Sequence, residues 1–102
     1  AAGWMDKAGA IIAVVLDPSS RWWLEDGSAA VTNILLTANA LGYGACWVEG
    51  NVLPLEERFK KLLGIPEGRR MPILVPIGVP AETPYKDKKT LAEIVHWDKY
   101  AI

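Results

Sequence analysis

The sequence predicts a mixed α and β domain with the element order β-α-β-α-β. Three observations predict it: a continuous β-branched apolar run near the start, two helical segments with legible ends, and two later apolar runs bounded by glycine and proline. A chain of 102 residues allows one domain with one modest core. Its 51% hydrophobic and 23% charged content is the mix of a folded globular protein.

The first strand is expected at "GAIIAVVLD", residues 9–17, where unbroken Ile and Val content reads as a strand buried on both faces. Pro18 and two serines end it, and "RWWLEDG" reads as a loop. Asp26 or Ser28 is the expected cap of a helix that runs over residues 28–41. That helix has no charged face, so other protein must surround it. A chain this small has few elements to do so, which points to a second subunit or a segment beyond the chain. The uncharged run over residues 27–48 has the length of a membrane span. Ser28, Thr32, Asn33, Thr37 and Asn39 within it, and Gly42 and Gly44 near its end, favour a helix buried in protein instead.

"ACWV", residues 45–48, reads as a short strand. "PLEERFKKLL" follows as an amphipathic helix, with Pro54 in its first turn and Leu55, Phe59, Leu62 and Leu63 as the apolar stripe. Glu56 and Glu57 sit at the positive end of its dipole as a solvated start, and Lys60 and Lys61 at the negative end. Gly64 should supply a left-handed cap and Pro66 should stop the helix. "MPILVPIGVP" is the third strand, and Pro76, which has no N–H to donate, implies an edge position or a bulge. Residues 80–90 read as loop, and Thr90 as the cap of a short final helical turn.

Function classes fall away in turn. A formal net charge of −1 builds no field for nucleic acid or an anionic membrane. One Cys and one His leave no internal disulfide and no multi-His metal site. Cys46, between Ala45 and Trp47, reads as a buried small hydrophobe, and His96 as a surface or packing residue. The lone cysteine and the absence of a secretory signal suit a reducing, cytoplasmic home. The chain opens without Met, so a fragment or processed product is expected. No nucleophile elbow, phosphate loop or dinucleotide fingerprint occurs.

Two features remain. Gly42, Gly44 and Gly50 crowd one short segment, where bare backbone lets a ligand approach the main chain. Lys86, Lys88 and Lys89 form the one compact basic cluster, enough charge for a single phosphate. A planar aromatic ligand with a phosphate tail would use both; a turn glycine and solvated lysines are the plainer reading.

The segments "LLTANALGYGACWVEG", "PLEERFKKLLGIPEG", "ILVPIGVPAE" and "YKDKKTLAEIVHW" resemble, in this order, the C-terminal half of the FMN-dependent nitroreductase family. The resemblance covers the chain from about residue 8 onward and treats residues 1–102 as a single, partial domain. It implies an α+β sandwich that forms an intertwined homodimer, with FMN at the subunit interface and the tail after Val95 reaching across the partner. It places Glu49 and Gly50 beside the isoalloxazine ring, with the Gly50 N–H near flavin N5. It places Lys86 and Lys88 on the FMN phosphate, with Lys89 as a substitute. The implied activity moves hydride from NADH or NADPH through flavin to a nitroaromatic, quinone or similar acceptor, and needs no side-chain nucleophile. Trp22 or Trp23 could line the substrate face, with packing the plainer role. The family's basic N-terminal segment, of Arg-Arg-Ser-x-Arg type, has no counterpart in residues 1–20. The competing expectation is therefore a non-catalytic dimerisation or binding module of the same fold.

Overall fold

The computed structural model describes residues 3–101. Three strands form one antiparallel sheet in the order β1-β3-β2: β1 is Ala10–Leu16, β2 is Gly44–Ala45 and β3 is Arg70–Gly78. Helix α1, Trp23–Ala40, joins β1 to β2, and helix α2, Glu56–Leu63, lies between β2 and β3. A short 3-10 helix, Leu53–Leu55, leads into α2, and a four-residue helix, α3, Leu91–Ile94, follows the long loop. The expected β-α-β-α-β order is the observed one.

β3 is the central strand, and its apolar side chains divide between two clusters. Ile73 and Val75 pack with Val14 of β1 and Val31 of α1. Leu74 and Met71 pack with Val48 and Val52, with Phe59 of α2 closing against them. The β1–β3 register shifts between Val14 and Leu16, and past that shift Met71 belongs with Leu74 rather than with Ile73.

β3 corrects the expectation drawn from Pro76, because it has a partner on both sides. Cys46 N–H donates to the Pro76 carbonyl at 3.3 Å, so the missing Pro76 donor faces the β2 side. Regular pairing on that side stops at Ala45 and resumes as an isolated bridge, with Val48 and Leu74 exchanging bonds of 3.0 and 2.9 Å. A central strand tolerates this proline because the lost bond falls opposite its shortest neighbour. The same gap cuts the expected strand over residues 45–48 to Gly44–Ala45 plus the bridge.

β1 corrects a second expectation. It is not buried on both faces: it pairs only with β3, and Ile11, Ile12 and Val15 are exposed. Apolar content specifies a strand, but how far it is buried depends on what packs against the sheet.

Helix α1 starts five residues before the expected 28, so "RWWLEDG" is largely helical and neither Asp26 nor Ser28 caps it. Gly27 does not break it, because the helix crosses Leu16 there. A Cβ on Gly27 would stand 2.5 Å from Leu16 Cδ1, so the glycine permits the close approach. Gly27, Val31 and Ala38 are buried, whereas Leu36 and Leu41 are exposed. The expectation that this chain cannot cover its own helix agrees with that exposure.

In α2 the expected stripe is displaced. Glu56 and Lys60 are buried and Phe59 half-buried, while Leu62 is 81% exposed and Leu55 and Leu63 are also exposed. Gly64 does adopt the left-handed cap, at φ 72°. Thr90 caps α3 in a reciprocal box with Glu93. His96 accepts the Ala101 N–H at Nδ1 and rests on the Tyr100 ring, a local packing role. No helix among the described residues is long and apolar enough to cross a membrane.

Candidate functional site

Gly50 lies in the turn that carries the chain from the sheet into α2. Val48 enters this turn from its bridge to Leu74. The Glu49 carbonyl then accepts N–H groups from Val52 at 2.9 Å and Leu53 at 3.0 Å. The Glu49 carbonyl and the Gly50 N–H belong to one planar trans peptide, so they point in opposite directions. Because the carbonyl faces the following turn, the Gly50 N–H must face away from it. It finds no acceptor among the described residues. A Cβ added at Gly50 would meet nothing within 4 Å.

An open cleft of about 250 Å³ lies at this turn, lined by Cys46, Trp47, Val48, Glu49, Gly50 and Asn51. The Glu49 carboxylate accepts the Trp47 indole N–H at 3.1 Å, which fixes both side chains along one wall. Cys46 is exposed, which corrects its reading as a buried hydrophobe: its side of the sheet borders open space. A larger open groove, about 1040 Å³, borders Cys46 and the start of the loop after β3 but does not include Gly50. No cluster of potential metal ligands occurs among the described residues.

The arrangement is a bare, outward-facing amide donor on an open surface, with an anchored carboxylate beside it. It suits a flat ligand edge carrying a nitrogen or oxygen acceptor. Lys86, Lys88 and Lys89 are exposed in the loop after β3, and none forms an ion pair among the described residues. Their free ammonium groups suit a phosphate. This chain does not gather the two halves of the expected site, since no lysine of the cluster lines the Gly50 cleft.

One residue behind the turn escaped the sequence reading. Glu56, read there as solvated, is 6% exposed. Its Oε2 accepts Arg70 Nε and the Met71 N–H, each at 2.8 Å, and its Oε1 accepts Arg70 Nη2 at 3.0 Å. The Arg70 guanidinium holds the Glu56 carboxyl below the usual glutamate range; burial opposes this, and the Met71 N–H adds to it. The same pairing raises Arg70 above its ordinary value. Arg70 also lies 5.0 Å from the Trp23 ring centroid, so Trp23 has a packing role. Trp22 is exposed under the Arg21 guanidinium. Helical spacing alone carried no signal for Glu56, because its partner strand is 14 residues away.

A sequence model of the nitroreductase family matches residues 1–79. That match includes Glu49 and Gly50 and ends before the lysine cluster. A protein of Archaeoglobus fulgidus named "Putative NADH dehydrogenase/NAD(P)H nitroreductase" is 41% identical over 97 residues, covering 87% of this chain and 52% of the relative. A crystal structure carrying the same name, from Bacteroides thetaiotaomicron, superposes with a TM-score of 0.80 at 31% identity, over 92% of this chain and 57% of that one. A nitroreductase from Bacteroides fragilis, described with bound FMN, superposes with a TM-score of 0.67 at 26% identity, over 96% and 52%. The chain therefore spans about half the length of the curated relatives it matches. The fold is a partial nitroreductase fold, a three-stranded antiparallel sheet with its helices, and the chain belongs to the nitroreductase family.

Proposed function

We propose that this chain supplies part of the flavin site of an FMN-dependent, NAD(P)H-using oxidoreductase. The observation that carries the reading is the Gly50 amide, directed outward by its own turn and without an acceptor. Gly50 N–H would donate to the ring edge of FMN, and Glu49 would flank that edge while held by Trp47. Lys86 and Lys88 would neutralise the phosphate. When bound, the flavin supplies the redox chemistry, taking electrons from NAD(P)H and passing them to a nitroaromatic, quinone or similar acceptor. The residues of this chain bind and orient, and none serves as a nucleophile.

The proposed assembly is a homodimer, and exposed apolar surface supports it. Ile11, Ile12 and Val15 on β1, and Leu36 and Leu41 at α1, all lie open to solvent. In such a dimer the lysines of one protomer would meet the Gly50 of the other.

Gly50→Val tests the cleft directly. Its added atoms enter open space, so stability should change by less than about 0.5 kcal/mol. Affinity for FMN, read by quenching of flavin fluorescence, should fall at least about tenfold, about 1.4 kcal/mol. Unchanged affinity would remove Gly50 from the site. Replacing Lys86 and Lys88 together by Ala should weaken FMN, and the loss should shrink as salt is raised. If wild-type protein stays colourless after FMN is added and excess removed, the non-catalytic module becomes the better reading.

A further inference from the structure

Glu56 does more than join a helix to a sheet: we infer that it is a positioning residue for the Gly50 amide. The inference rests on the reading of Gly50 as the flavin-facing donor. Three links connect the two residues. The Gly50 N–H direction is set by the Glu49 carbonyl, because both belong to one rigid peptide. The Glu49 carbonyl is set by the Val52 and Leu53 N–H groups that it accepts. Those residues are in turn held from below. Val52 is fully buried against Met71 and Leu74, and its carbonyl accepts the Leu55 N–H at 2.8 Å. Glu56 follows immediately, with its carboxylate bonded to the Met71 N–H and to both prongs of Arg70.

The turn is thus tied to β3 at three points: at Val48, by the paired bonds to Leu74; at Val52, by burial against Met71 and Leu74; and at Glu56, by the bonds to Met71 and Arg70. Gly50 stands between these ties with no main-chain bond of its own among the described residues. A glycine in open space has wide conformational freedom, so its amide keeps a direction only if both flanks are fixed. Releasing the Glu56 tie leaves one flank held only by the apolar packing of Val52, which fixes no hydrogen-bond direction. A ligand acceptor would then have to order the turn as it binds, and that ordering entropy lowers affinity.

The test is nitrogen relaxation by NMR on the labelled full chain, with FMN affinity measured on the same samples. In wild-type protein the Gly50 amide should be ordered, with an order parameter near about 0.85. In Glu56→Ala it should fall below about 0.6, while Gly42, in the turn after α1, keeps its wild-type value. FMN affinity should fall at least about tenfold. If Glu56→Ala does not fold, Glu56→Gln keeps the side-chain size, removes the charge, and should shift both readouts in the same direction. A folded variant with lower melting temperature but an unchanged Gly50 order parameter assigns Glu56 a structural role alone and overturns the inference. A mobile Gly50 with unchanged FMN affinity upholds the positioning and overturns the assignment of Gly50 as flavin donor.

Discussion

Arg70→Met should destabilise the fold by about 3 kcal/mol, because it removes both guanidinium hydrogen bonds and leaves the buried Glu56 carboxylate only the Met71 N–H and the charge of Lys60. Met preserves most of the apolar stem, so the loss reports the charge and its two hydrogen bonds rather than a cavity. A reduced urea midpoint with unchanged slope is the expected result. The effect has a pH signature with a definite sign. Glu56 has a lowered pKa in the folded protein, chiefly from Arg70. Its contribution is therefore complete above the ordinary glutamate range and is lost as pH falls through the lowered folded value. In the Arg70→Met protein the largest lowering influence is gone, so the Glu56 pKa lies higher than in wild type and the carboxylate is neutralised at less acid pH. The gap between wild type and variant should be widest near neutrality and should narrow as the pH drops through the glutamate range. A constant gap would show that Arg70 contributes packing alone.

Ile73→Ala should cost about 3 kcal/mol as well, by a different mechanism. Ile73 has no exposed surface, and it fills the space between Val14 and Val75 in the sheet and Val31 in α1. Three elements meet at this side chain, and rigid strands on both flanks prevent collapse around the void. For a domain of this size the melting temperature should fall by more than about 10 °C, measured by circular dichroism. Leu62→Ala, at the other extreme, should change stability by less than about 0.5 kcal/mol, since Leu62 is 81% exposed. Equal losses at the two positions would mean that α2 lies on the sheet by its leucine stripe after all.

The two predictions separate what local pattern encodes from what it cannot. Gly64 with Pro66 behind it, and Thr90 three residues before Glu93, signal helix ends through hydrogen bonds that span only a few residues. Local chemistry suffices for such features, and the order of elements along the chain follows from the apolar runs between them. Glu49 and Gly50 were legible as a candidate site because the glycines and the family resemblance both point to them. Glu56 was not, because its acidic side chain serves equally well at a solvated helix start or beneath one. The difference lies in Arg70 and Met71, which only folding brings beside it. The same holds for the face of α2. A stripe of leucines predicts which side is apolar, but the arginine and backbone donor on β3 drew the opposite choice, with Glu56 and Lys60 inward.

What the sequence determined by itself was the order of the main elements, the end of α2 at Gly64, the start of α3 at Thr90, and the bare backbone near Gly50, all consequences of contacts within a few residues. Tertiary structure decided the rest. It made β3 central despite Pro76, placed the missing donor opposite a two-residue strand, and set Gly27 against Leu16 so that α1 could begin early. These outcomes depend on which surfaces meet across the fold, and a periodicity read along one chain does not contain the identity of the surface it will face.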